Sequence, residues 1–109
     1  MITEIKTKDD LVKALNEERI VLFKHSTACP VSARAYNELQ DFAQHTDIPV
    51  YLIKVIESRP ISNEIAQMTG VKHESPQAFI MNYGKVLWHD SHFLITRKNL
   101  EETIAKYEQ

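Results

Sequence analysis

Cys29 is the only cysteine in the chain, and the stretch His25-Ser26-Thr27-Ala28-Cys29-Pro30-Val31-Ser32 has the greatest capacity for chemistry. An apolar run, Ile20 to Phe23, precedes it and a helical pattern follows, so Cys29 falls where a strand ends and a helix begins. The first amides of a helix have no partners within it and carry the positive end of its dipole. They therefore favour a thiolate over a thiol. A cysteine there is a nucleophile, whereas a core cysteine is an inert small apolar residue. Attack of a thiolate on a disulfide sulfur yields a mixed disulfide. The chain holds no second cysteine, so the thiol that resolves such a species has to come from outside.

Ser32 lies three residues along the helix from Cys29, and its hydroxyl is a candidate donor to the thiolate. The plainer alternative is a tolerated polar residue in the first turn. His25 reads as a strand-end residue, with tuning of the thiolate as its second possible role. His25, His73, His89 and His92 follow no standard zinc spacing, and a lone cysteine supplies no second sulfur, so no metal site is expected.

Several elements must hold this stretch in place. Thr7 with Asp10 forms a variant capping box, and Leu11, Ala14 and Leu15 continue at helical spacing to about Glu18. The run Ile20-Val21-Leu22-Phe23 is a strand covered on both faces. Val31, Ala35, Leu39 and Phe42 form one apolar stripe on a helix from Pro30 to about Gln44, with Pro30 suited to its first turn. Val50 to Ile56 predicts a second buried strand. Pro60 and Ser62-Asn63 open a third helix, which Gly70 stops. Ala78 to Met81, the turn Asn82-Tyr83-Gly84-Lys85 and Val86 to Trp88 read as a hairpin. Thr96 caps a last helix, with Ile95 and Leu100 as a hydrophobic staple. Parallel strands joined by a helix, then an antiparallel hairpin, give an α/β fold. Its mixed sheet has about four strands, helices on both faces and an extra N-terminal helix.

Composition bounds the rest. At 109 residues, 43% apolar and 26% charged, the chain is expected to be one domain over 1–109 with its own core. A net charge of −2 with no basic block argues against nucleic acid as a partner. No apolar run reaches signal-peptide length or the roughly 20 residues of a membrane span. A single cysteine excludes an internal disulfide framework and suits a reducing compartment, so the expected location is the cytoplasm.

The order of elements resembles the thioredoxin fold, and two local features carry the likeness. Cys29-Pro30-Val31-Ser32 resembles the C-x-x-C site of thioredoxins and glutaredoxins with the second cysteine replaced by Ser32. Ser75-Pro76 stands where that fold keeps a cis-proline beside the active cysteine, with the preceding residue offering backbone groups to an extended substrate. The cis form is implied by the resemblance alone, because X–Pro bonds in general favour trans. Thioredoxins carry a buried acid six residues before the first cysteine, and here that position is Phe23.

More narrowly, Lys24-His25-Ser26-Thr27-Ala28-Cys29-Pro30-Val31-Ser32-Ala33 resembles the active-site segment of YtxJ-type monothiol bacilliredoxins. Their usual signature is Thr-Cys-Pro-Ile-Ser. Ala28 and Val31 depart mildly from it, and Thr27 sits one position earlier. The likeness extends over the whole chain, including Glu74-Ser75-Pro76-Gln77 and the Tyr83-Gly84 turn.

It implies an oxidoreductase that removes bacillithiol, a cysteine-based small thiol, from oxidised proteins. Cys29 would be the nucleophile with Ser32 assisting it, and Pro30, Ser75 and Pro76 would line the substrate path. Free bacillithiol or another redoxin or reductase would close the cycle. Bacillithiol carries a malate group, so Lys24, Arg34, Lys72 or His73 are expected to attract its carboxylates. Two other classes compete. An iron–sulfur carrier of the monothiol-glutaredoxin kind would have glycine after the cysteine, where this chain has Pro30. A non-catalytic adaptor would tolerate loss of Cys29.

Overall fold

The computed structural model describes residues 1–108. Its strands are β1 (Ile2–Glu4), β2 (Ile20–His25), β3 (Val50–Lys54), β4 (Gln77–Asn82) and β5 (Lys85–Ser91). Its helices are α1 (Lys8–Leu15), α2 (Pro30–Ala43), α3 (Arg59–Thr69) and α4 (Arg97–Tyr107), with a short 3-10 turn at His92–Leu94. No helix among the described residues is long and apolar enough to cross a membrane.

The sheet has five strands in the order β1-β3-β2-β4-β5, where about four were expected. The additional one is β1, a three-residue edge strand parallel to β3 with Ile2 opposite Val50. β2 runs parallel to β3, and β4 and β5 continue antiparallel. Alternation along β2 divides the core. Val21 and Phe23 pack with Ala35, Leu39 and Phe42 of α2 and with Leu100 and Ile104 of α4. Ile20 and Leu22 pack with Leu11 and Ala14 of α1 and with Ile61 and Ile65 of α3. Each face of the sheet is therefore covered by two helices, as the unbroken apolar run of β2 requires.

Helix ends follow the chemistry of their caps. The Thr7 side chain accepts from the Asp10 N–H while the Asp10 carboxylate accepts from the Thr7 N–H, which makes a full capping box. Thr7→Ala removes one half of that exchange and is expected to lower stability by about 1 kcal/mol, read from the urea unfolding midpoint at unchanged slope. α1 stops at Leu15, short of the predicted Glu18. The Glu17 N–H turns to the Ala14 carbonyl at 3.2 Å, a tightened last turn that ends the ladder. The carbonyls of Glu17 and Glu18 accept the Tyr83 N–H, and the Glu17 carboxylate accepts from the Tyr51 hydroxyl. Gly70 ends α3 in the left-handed conformation at φ 70. Tyr83 and Gly84 both have positive φ, 48 and 79, as a two-residue primed hairpin turn demands.

Candidate functional site

The register of the sheet assembles the site. Lys24 near the end of β2 lies opposite Gln77 at the start of antiparallel β4. The chain leaving β2 towards Cys29 and the chain entering β4 through Ser75-Pro76 consequently lie side by side at one end of the sheet. Ser75-Pro76 is a cis peptide bond, as the thioredoxin likeness implies. The Pro76 carbonyl accepts the His92 N–H at 3.1 Å, which ties the start of the 3-10 turn to the same corner. Neither backbone group of Ser75 has a backbone partner among the described residues, and its buried hydroxyl oxygen has no protein partner.

Cys29 occupies the N-cap of α2 in extended conformation, at φ −116 and ψ 122, with Pro30 as the first helical residue. Its carbonyl accepts the Ala33 N–H at 3.0 Å and opens the helical ladder. Its side chain makes no capping hydrogen bond, and the residue is half-buried. A cap normally spends its side chain on the helix; here the sulfur stays uncommitted beside the unpartnered amides of the first turn.

Ser32 behaves differently from the expectation of a donor to Cys29. It is fully buried, and its Oγ accepts the Ser26 N–H at 2.9 Å and lies 2.7 Å from His25 Nδ1. No hydrogen bond joins it to Cys29 among the described residues. With Ser26 donating to Oγ and no other acceptor bonded to the hydroxyl among the described residues, the hydroxyl donates to a neutral Nδ1. Burial, followed by the positive charge of Lys54 and partly offset by Glu57, pushes the His25 pKa below the ordinary histidine value. A neutral imidazole that accepts at Nδ1 fits that direction. His25 also stacks on Tyr36, with centroids 4.9 Å apart, and on Phe23 at 5.7 Å. His25, Ser26 and Ser32 thus form a brace that fixes the turn carrying Cys29. Only the positions of the three residues are legible in the sequence, not their contact.

The four cations expected around the site divide into two pairs. Lys24 is fully buried, which removes it as a surface contact for a ligand carboxylate: it sits on the α1/α3 face of β2, where alternation turns it inward. Its ammonium donates to the Ser62 carbonyl at 3.0 Å and lies 3.2 Å from His73 Nδ1. His73 is accordingly turned towards the interior. Arg34 and Lys72 are exposed. The Arg34 guanidinium lies over the Phe93 ring, 5.5 Å from its centroid. Phe23, at the position of the thioredoxin acid, is fully buried in the core. No group of three or more His, Cys, Asp or Glu among the described residues could hold a metal ion.

Solved structures of similar shape include thioredoxin-fold proteins. One solved structure, described as a candidate oxidoreductase with a thioredoxin fold, superposes with a TM-score of 0.90 at 32% identity, covering 94% of this chain and 93% of its own. A mutant thioredoxin from Halobacterium salinarum gives a TM-score of 0.81 at 14% identity, covering 99% and 91%. A thioredoxin from Trypanosoma brucei brucei gives 0.82 at 11%, with the same coverage. These two thioredoxins show the fold alone. Residues 1–100 match the family model of the monothiol bacilliredoxin BrxC. The chain belongs to that family, a bacilliredoxin-like branch of the thioredoxin-fold oxidoreductases.

Proposed function

We propose that this protein is a monothiol oxidoreductase that removes bacillithiol from S-bacillithiolated proteins through Cys29. The observation that carries this reading is the single uncommitted Cys29 sulfur at the α2 N-cap, at the end of the sheet where the chain enters β4 through Ser75-Pro76, with Ser32 three residues on. The Cys29 thiolate attacks the bacillithiol sulfur of the modified substrate. The substrate's S–S bond breaks, a Cys29–bacillithiol S–S bond forms, and the substrate thiolate leaves and takes a proton from solvent. The thiolate of free bacillithiol, or of another redoxin or reductase, then attacks the bacillithiol sulfur of the adduct, leaves joined to it as a disulfide, and returns Cys29 to the thiolate. Consumption of a small thiol suits a reducing compartment such as the cytoplasm.

The unpaired backbone groups of Ser75 are available to an extended substrate, and Pro30 and Pro76 form the walls of the path. Arg34 and Lys72, the exposed members of the expected cation set, are the groups assigned to the malate carboxylates. Intact mass after mixing with a bacillithiolated protein and, separately, a glutathionylated one tests the reading. Cys29 is expected to gain one bacillithiol as the substrate loses it. Absence of the adduct with the substrate still modified sinks the proposal, and transfer of glutathione alone replaces the co-substrate.

A further inference from the structure

Lys24 is a buried cation with no carboxylate in ion-pair range among the described residues. Burial pushes its pKa down to about 8, so the protein bears a desolvation penalty at this position. A methionine would fill similar space without that penalty, so packing does not account for a lysine. What the ammonium does is join two separate pieces of chain. It holds the Ser62 carbonyl of α3 at 3.0 Å and the His73 ring at 3.2 Å, with Ser62 Oγ 3.3 Å from the same ring nitrogen.

His73 lies in the irregular segment between Gly70 and the cis bond. At its two ends the Val71 N–H donates to Thr69 Oγ1 at 3.1 Å and Val71 packs against the α1/α3 core, while the Glu74 carboxylate takes a hydrogen bond from Ser91. Gln77 Nε2 donates to the Lys72 carbonyl at 2.9 Å, and the Glu74 N–H donates to Gln77 Oε1 at 3.4 Å. Lys24 and Gln77 are partners in the sheet register, so two neighbouring side chains grip the segment from below.

We propose that Lys24 is a positioning residue, whose ammonium latches His73 and thereby sets where Ser75-Pro76 stands relative to Cys29. The role rests on the reading of Cys29 as the exchanging thiol, because the latch matters only if a substrate passes along that segment. Lys24 donates to Nδ1, so Nδ1 must be unprotonated. The His73 pKa is held below the ordinary histidine value by burial first, then by Lys24 and by Arg59 at the start of α3, with Glu74 opposing them. A proton on Nδ1 would face the ammonium and open the latch.

Lys24→Met in the full chain tests this, alongside His73→Asn, whose amide oxygen restores an acceptor near Nδ1 without titrating. In Lys24→Met, alkylation of Cys29 by iodoacetamide is expected to stay at the wild-type rate. KM for a peptide mixed disulfide should rise about tenfold with kcat little changed. Hydrogen-exchange protection of the Glu74 amide, which donates to Gln77 Oε1, should fall by about the same factor. His73→Asn should keep both near wild type. Acidification through the His73 titration should loosen this amide in the wild type but not in His73→Asn. Wild-type KM and wild-type protection in Lys24→Met overturn the latch. Wild-type protein that accepts no adduct sinks the exchange reading alone, and the hydrogen-exchange comparison still decides the latch.

Discussion

Replacing Cys29 by serine is expected to abolish thiol–disulfide exchange and leave the fold intact. The sulfur makes no capping bond and is half-buried, so the smaller oxygen fits without a cavity of consequence. Serine is also among the best N-cap residues, because its oxygen can take an amide proton of the first turn. The thermal midpoint should therefore be equal to that of the wild type or slightly higher. Activity should fall by roughly 10^4-fold or more, since a serine hydroxyl is not ionised near neutral pH and no adjacent base bonds this position. The measurement is release of bacillithiol from a modified protein, followed by intact mass beside a melting curve. A folded Cys29→Ser protein that still strips its substrate would move the chemistry away from this site. One that keeps its cellular function without stripping anything would favour the adaptor class.

The second large effect is expected from Ser32→Cys, which should turn a one-thiol site into a two-thiol site. Residues 29 and 32 are an N-cap and a first-turn position of the same helix, a separation at which a disulfide can close. The new thiol would replace Ser32 Oγ, which lies 2.7 Å from His25 Nδ1. A neutral imidazole there can take the thiol proton as the sulfur attacks the Cys29 adduct, a task that Phe23 cannot perform. The oxidised variant should lose the mass of two hydrogens, and the Cys29 mixed disulfide should become at least about tenfold shorter-lived. Some stability should be lost, about 1–3 kcal/mol, because sulfur is a poor acceptor for the Ser26 N–H. Persistence of the adduct at its wild-type lifetime, with no oxidised species, would show that His25 and residue 32 cannot act together on Cys29.

The frame of the molecule was legible because its signals are local. The apolar run of β2, the stripe of α2, the Thr7 and Thr96 caps and the Gly70 stop all depend on residues within a turn or two of each other. β1 escaped because three residues have too little alternation to signal a strand, and what makes them one is β3, far along the chain. The stretch after α1 has a similar cause, since the Tyr83 N–H that holds the carbonyls of Glu17 and Glu18 comes from a distant hairpin.

Within the site, the place of Cys29 followed from the strand–helix junction, and the cis bond from likeness to a fold. The direction of individual side chains did not follow. Ser32 was read against Cys29, its sequence neighbour, whereas its partner His25 lies on the preceding strand. Lys24 carries the charge expected of a carboxylate contact, and lysines are almost always exposed. One-residue alternation on β2 put it inside, and only the fold brings Ser62 and His73 to meet it.

A serine where a second thiol would stand also sets the kinetic order of the molecule. A thiol in the same chain, well oriented, attacks at an effective concentration of about 10^5 M or more, which no dissolved thiol approaches. On the proposed reading, a mixed disulfide on Cys29 would decay by a bimolecular step, at a rate proportional to the free thiol around it. The dwell time of the adduct is therefore inversely proportional to the size of the thiol pool. As that pool is drained, a growing share of the protein would stay loaded, and the occupancy of Cys29 would become a gauge of how much reducing capacity remains.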